Sequence, residues 1–252
     1  MDYTARDALE AGFSEVVLVV REDVQDELLE HIASYWPREL TVTPVIQGPI
    51  AGTAQAVASA EDAIDGSFGV ANADDLYGST ALQRLASDVQ ELGPDSHVIV
   101  GYRLRDTVLT DAPVTRGICV VADGCLVELQ EETVQRQPGG GFTGRSIRAS
   151  ANEPAHELSG EEVVSMNLWG FSEGIFDDLD RALRRFEPSA VAHTAEKPPE
   201  LLLPDVAAGT VNAGLARMRV VETSGRCIGI THPDDLPLVR VIVADLEQPR
   251  LS

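Results

Sequence analysis

Q-G-P-I-A-G-T-A-Q-A-V (residues 47–57) and F-G-V-A-N-A-D-D-L-Y-G (residues 68–78) decide the fold. The first is a small-residue turn that runs into a helix start at Thr53. The second is a short apolar run, residues 68–71, that breaks abruptly into Asn72, Asp74 and Asp75. An apolar run ending in polar side chains is the pattern of a buried strand that delivers those side chains at its carboxyl end, where open α/β sheets bind ligands. Hard divalent cations take oxygen ligands, and Mg²⁺ commonly uses one or two protein carboxylates together with substrate phosphates. Asp74 therefore reads as a metal anchor. Residues 72–75 also read as a plain strand end that caps the helix after Gly78, and the neighbouring sequence has to decide between the two.

Working outward, residues 15–20 (E-V-V-L-V-V) form a continuous β-branched run that predicts a strand buried on both faces. It is preceded by helical spacing over residues 3–11, stopped by Gly12. Asp23 predicts the cap of a helix to Tyr35, with residues 40–46 as the next strand and a helix over residues 53–63. Strand, helix, strand, helix, strand is the grammar of a parallel sheet covered by helices. Beyond a helix at 79–92 and a strand at 97–104 the grammar changes: residues 116–122 and 125–129 flank Asp123-Gly124, a hairpin signal that adds antiparallel strands. P-G-G-G-F-T-G (138–144) predicts a loop, read as a flexible turn or a phosphate cradle. A strand at 163–171, a helix at 175–186, a proline-rich stretch at 188–204, a helix from Asp205, strands at 216–222 and 227–230, and a helix from Asp234 complete the chain.

Composition narrows the function. The 252 residues are 44% hydrophobic and contain no apolar run long enough to cross a membrane. Residues Met1-Asp2-Tyr3-Thr4 carry none of the marks of a signal peptide, which points to the cytosol. Cys119, Cys125 and Cys227 are odd in number and lie at no metal-ligand spacing, so they read as reduced thiols without a chemical role. A formal net charge of -22 excludes a nucleic-acid polymer as partner, because phosphate backbone would be repelled over most of the surface. Small anions remain, and with Lys197 the single lysine among 19 basic residues they would fall mainly to arginine, backbone amides or a metal.

Six strings in order, G-T-A-Q-A-V (52–57), N-A-D-D-L-Y-G (72–78), V-G-Y-R-L-R-D-T-V (100–108), R-G-I-C (116–119), S-M-N-L-W-G-F (165–171) and G-I-T-H-P-D-D-L-P (229–237), together resemble one branch of the sugar-nucleotide nucleotidyltransferases. Those enzymes join a nucleoside triphosphate to a sugar 1-phosphate and release pyrophosphate. The resemblance implies a single α/β domain over 1–252, with a Rossmann-like mixed, mostly parallel sheet and helices on both faces, of the nucleotide-diphospho-sugar transferase type. It implies that Gln47, Gly52, Thr53 and Asn72 face the nucleotide and that Asp74 is catalytic by holding Mg²⁺ against the triphosphate. Asp235 is the implied second metal ligand, with Asp234 close behind it for that role; Asp234 also reads as the cap of the last helix. Glu131 would contact sugar hydroxyls, while Asn167 and Gly170 line the sugar pocket.

The sequence departs from the family in one respect. Members open with a strand and a glycine-rich loop of the form L-A-A-G-x-G-x-R that holds the triphosphate. Residues 1–8 here resemble the helix after that loop, so the resemblance implies a chain truncated at its amino end. Three functions compete: a nucleotidyltransferase whose true start lies upstream, a nucleotide-binding or regulatory remnant without activity, and a metal-dependent glycosyltransferase that uses Asp74 and Asp75 with a preformed nucleotide sugar.

Overall fold

The computed structural model describes residues 1–48, 52–150, 153–186, 199–229 and Arg240. Six α-helices and twelve strands fall in the order α1 (Asp2–Ala11), β1 (Glu15–Val20), α2 (Gln25–Tyr35), β2 (Thr41–Ile46), α3 (Thr53–Ala58), β3 (Phe68–Val70), β4 (Asp75–Leu76), α4 (Ser79–Val89), β5 (Ser96–Arg103), β6 (Val114–Ala122), β7 (Cys125–Arg136), β8 (Phe142–Ser146), β9 (His156–Leu158), β10 (Val163–Phe171), α5 (Ile175–Arg185), α6 (Leu203–Asn212), β11 (Arg217–Glu222) and β12 (Ile228–Gly229), among the described residues. Gly12 ends α1 in the left-handed region, at φ 105°, as its position after the helical spacing predicts. Asp23 does not cap α2: it pairs with Arg21, and a 3-10 turn, Glu22–Val24, leads into the helix instead. The predicted helix over 53–63 breaks after Ala58, because Ser59 donates its hydroxyl back to the Gln55 carbonyl and accepts the Gly48 amide. The predicted helix from Asp234 lies outside the described residues.

The sheet corrects one expectation. Its main body is mixed and largely antiparallel, in the order β11-β5-β10-β6-β7-β8-β9 with β3 added to β10. Among these pairings only β11 with β5 is parallel. The reason is the strand pair after Ala122: Asp123 and Gly124, at φ 50° and 73°, turn β6 straight back into β7. The glycine-rich stretch then yields β8 from Phe142, where a loop is predicted, so antiparallel pairing propagates outward through β9. Because β11 also meets β7 at Arg219↔Cys125, strands β5, β10, β6, β7 and β11 close into a ring. Helices cover both faces, as the sequence predicts. On one, α4 buries Ala81, Leu82, Leu85 and Val89 against Val98, Val100 and Val164; on the other, α3, α5 and α6 bury Ala54, Val57, Phe176, Leu179, Val206 and Ala207 around Trp169 and Phe171.

Strands β1 and β2 form a separate parallel pair. The Thr41 amide donates to the Ser14 carbonyl and the Gln47 amide to the Val20 carbonyl, so even-numbered residues of β1 and odd-numbered residues of β2 face each other. Pro44 therefore points its missing N–H away from β1 and blunts the outer edge of β2. The opposite edge of β1 has no such guard. Glu15, Val17 and Val19 direct their backbone groups there, and no described strand pairs with them. Val16 and Leu18 pack under α1 and α2 with Ile32, Trp36 and Leu40, whereas Val17 and Val19 stay half-exposed and outside the core clusters. The run is thus packed on one face and paired on one edge, not buried on both faces. Helix α1 bridges to the main body: Ala8, Ala11 and Phe13 join the α4 core, and the Phe13 ring tip lies 3.5 Å from where a Cβ on Gly69 of β3 would be.

This alternation is directly testable. Leu18→Pro removes a ladder donor and leaves a Thr43 carbonyl unpaired, costing about 1–3 kcal/mol, while Val17→Pro removes an N–H that no described strand accepts and costs clearly less. Urea unfolding midpoints of the two variants measure the difference; equal losses would show that the outer edge of β1 is in fact paired.

Candidate active site

Strand β3 ends at Val70, and the chain that follows is fixed by one phenol. The Tyr77 side chain is fully buried, and its hydroxyl accepts the Asn72 amide at 3.0 Å. It lies within donating distance of the carbonyls of Met166 (3.0 Å) and Asn167 (3.3 Å) and of Asp75 Oδ2 (3.3 Å). Asn72 Nδ2 donates to the same Asp75 oxygen at 3.0 Å, and the Thr4 hydroxyl donates to the Asp75 carbonyl. Tyr102, also fully buried, donates to the Tyr77 carbonyl. Asp75 is therefore held in place. Asp74 beside it is exposed and makes no side-chain hydrogen bond or ion pair among the described residues. Two adjacent carboxylates thus take different parts, one pinned and one presented.

The pinned carboxyl is raised above the ordinary carboxylate range, chiefly by burial, with the charge of Asp74 adding to it; the hydrogen bonds from Asn72 and Tyr77 and the Arg116 charge oppose the shift. Arg116 stands behind it. Burial lowers its guanidinium while Cys227 and Asp75 favour its charged form, and it donates to the Thr107 hydroxyl and carbonyl. Cys227 is fully buried in this cluster, its thiol raised well above ordinary by burial first and by Asp75 next. Neither it nor Cys119, pushed up to about 12 by burial, is available as a thiolate. Arg116 and Tyr77 carry no signal by spacing alone; only the tertiary pairing of β4 with β12 through Asp75↔Gly229 brings Cys227 and Asp75 together.

A second group assembles at the end of β2. Gln47 Nε2 donates to the Gly52 carbonyl at 3.3 Å, and the Gly48 amide donates to Ser59 Oγ at 2.9 Å. Gly52, at φ 115°, carries no side chain because a Cβ there would sit 2.2 Å from the Leu201 carbonyl oxygen. Thr53 is exposed at the start of α3. The two groups flank a common core in which Ala54 and Val57 of α3 pack with Phe68 and Val70 of β3.

Three further predicted residues lie on the main sheet. Asn167 is half-buried and adopts φ 58°, a left-handed conformation rare for any residue but glycine, at the register shift between Ser165 and Trp169. Its amide donates to Ser165 Oγ. Glu131 shares a cross-strand row with Gly117 and Ser165. Gly117 does not open a space in that row: a Cβ there would meet the Leu129 side chain at 3.1 Å and Ser165 Cβ at 3.6 Å, so the glycine lets Leu129 pack over it. Gly170 instead faces α4: a Cβ would come within 2.6 Å of Val98 and 2.7 Å of Val89. Asp235, Asp234 and Lys197 lie outside the described residues.

Residues 1–107 match the protein-family model described as nucleotidyl transferase. No curated protein matches the chain in sequence. Among solved structures, the fold is similar to that of a putative glucose-1-phosphate thymidylyltransferase from Bacillus anthracis in complex with a sucrose, at 10% identity and TM-score 0.64 over 98% of this chain and 83% of that one. It is also similar to the inositol-1-phosphate CTP transferase from T. maritima, at 14% identity and TM-score 0.67 over 98% and 82%. The structure of UDP-glucose pyrophosphorylase complexed with UDP-glucose aligns at 15% identity and TM-score 0.53 over 90% and 79%. The family model covers the strings at 52–57 and 72–78 and nearly all of that at 100–108, and not the three further along the chain; the solved structures share the fold.

Two variants probe the cluster around Tyr77. Tyr77→Phe strands the Asn72 amide and removes the donor to β10, so it should cost about 1–3 kcal/mol in urea unfolding. Asp75→Asn acts the other way. A carboxyl raised in the folded state destabilises increasingly as pH rises above its ordinary value of 3.8 and costs nothing well below it. The variant should therefore be more stable than the parent at neutral pH and lose that advantage at about pH 3. An advantage independent of pH would point to packing instead.

Proposed function

We propose that the chain is a metal-dependent nucleotidyltransferase acting on a nucleoside triphosphate and a sugar 1-phosphate. One observation carries this reading: Asp74, exposed between β3 and β4 with no side-chain hydrogen bond or ion pair among the described residues, beside a carboxylate that Asn72 and Tyr77 hold still. In the proposed reaction a sugar-phosphate oxygen attacks the α-phosphorus in line, the bond to the β-phosphate oxygen breaks, and pyrophosphate leaves. This chemistry needs positioning and charge neutralisation more than covalent catalysis.

The donor set suits Mg²⁺. That ion takes hard oxygen ligands and keeps open positions for phosphates and water, and no cluster of three or more His, Cys, Asp or Glu side chains that would make a closed cage occurs among the described residues. Asp74 would hold the ion, with Asp235 as a second ligand by resemblance; when bound it neutralises triphosphate charge. The backbone around Gln47, Gly52 and Thr53 receives the nucleobase, and Asn72 borders the nucleotide. Glu131 and Asn167 orient the sugar, and Gly170 sets how closely β10 lies against α4.

A second reading is that the chain binds a nucleotide without transferring it. Pyrophosphate release separates the two. With Mg²⁺, the four nucleoside triphosphates and a panel of sugar 1-phosphates, the parent chain should release pyrophosphate and Asp74→Ala should lose at least about a hundredfold of that rate. Its unfolding free energy should change by no more than about 0.5 kcal/mol, since the side chain is exposed. Nucleotide binding with no release by the parent would establish the second reading, and undiminished turnover by Asp74→Ala would remove that residue from the mechanism.

A further inference from the structure

The nucleotide-facing loop is not self-supporting. Its position depends on a segment some 150 residues away, between residue 199 and the start of α6. The Ala54 amide donates to the Leu201 carbonyl at 3.1 Å, and the Leu203 amide donates to Thr53 Oγ1 at 2.9 Å. These two bonds run in opposite directions, so each segment satisfies a backbone group of the other. Gly52 seals the contact, since its bare Cα is what allows the Leu201 main chain to approach. Behind it, Leu203, Val206 and Ala207 of α6 are buried with Ala54 and Val57 of α3. On the near side, Gln47 holds the Gly52 carbonyl and Ser59 holds the Gly48 amide.

From this geometry we infer that residues 201–203 are a positioning element of the nucleotide site, with the Thr53 hydroxyl as the pin that joins them to the base-reading backbone. The inference rests on the nucleotidyltransferase reading and adds to it a residue role and a partner segment. Thr53 acts through its contact with Leu203 and need not touch the nucleotide with its hydroxyl. If the pin is withdrawn, the backbone at Gly52, Thr53 and Ala54 loses its fixed placement, and the ordering lost in the free protein must be supplied when nucleotide binds. Base affinity falls while the sugar site, built on β7 and β10, is untouched.

The test compares the parent chain with Thr53→Val, Thr53→Ala and Thr53→Ser. Thr53 is exposed, so none of these changes the core, and the alanine variant controls for the β-branched shape. Calorimetric titration with ATP, CTP, GTP and UTP, each with Mg²⁺, should show the nucleotide that binds the parent binding the valine and alanine variants about tenfold more weakly. The serine variant should regain most of that affinity. Hydrogen exchange should show the Ala54 and Leu203 amides speeding up together in the valine variant, and bound nucleotide slowing both in the parent. Unchanged nucleotide affinity in the valine and alanine variants overturns the inference alone, as does a Leu203 amide that accelerates while Ala54 does not. Failure of the parent to bind any of the four removes the nucleotidyltransferase reading and this inference with it.

Discussion

The hydroxyl of Tyr77 is the contact on which the candidate site depends. It is fully buried, it accepts the first amide after β3, and its proton is directed at the carbonyls of the β10 bulge or at Asp75. A buried hydroxyl left without partners is costly, so residues 72–77 and residues 166–167 are compelled to stay together. That one group aligns Asp74 and Asp75 with Asn167, whose own left-handed backbone persists because the surroundings over-determine it. The residues proposed for the metal and those proposed for the sugar are therefore registered to each other by a neutral hydrogen bond, not by an ion pair, and salt will not loosen it.

The two halves of the site stand on different supports. The residues proposed for the sugar lie on strands of the closed ring, where every strand has a neighbour. Those proposed for the nucleotide adjoin a six-residue helix, too short to hold itself, which packs against Leu201 and α6. Under the proposed function, the scaffold would orient the sugar, and a distant segment would place the base.

Much of this was legible in the sequence where one local rule dominated. The run at residues 15–20 is a strand because its β-branched side chains leave the backbone little choice, and Asp123-Gly124 turns as its residues demand. That the chain leaves β3 with Asp74 exposed was legible because an apolar run stops so sharply before it. What could not be read depended on partners far away in the chain. Ser59 ends α3 early by serving Gly48, eleven residues back; Tyr77 finds its acceptors about ninety residues on; and Phe142 to Ser146 becomes a strand only because the edge of β7 is there to receive it. The parallel grammar of the first three strands did not extend to the sheet, since hairpins from Val114 onward set the direction of most of its members.

The contrast between the two edges of the β1–β2 pair bears on how this protein behaves in a crowded solution. Pro44 makes one edge inert, whereas along the other no described strand pairs with alternating amides and carbonyls flanked by valines, a template for recruiting a strand from a neighbouring molecule. A net charge of -22 surrounds that template. Mutual repulsion between copies then does the work that a proline or a lysine does on other exposed edges, and it acts over roughly a Debye length, about 8 Å at physiological ionic strength. The acidity of the chain thus serves as a colloidal safeguard as well as an aid to solubility, and its protection is borrowed from the solvent: it fades as ionic strength rises, while the appetite of the bare edge for a partner does not.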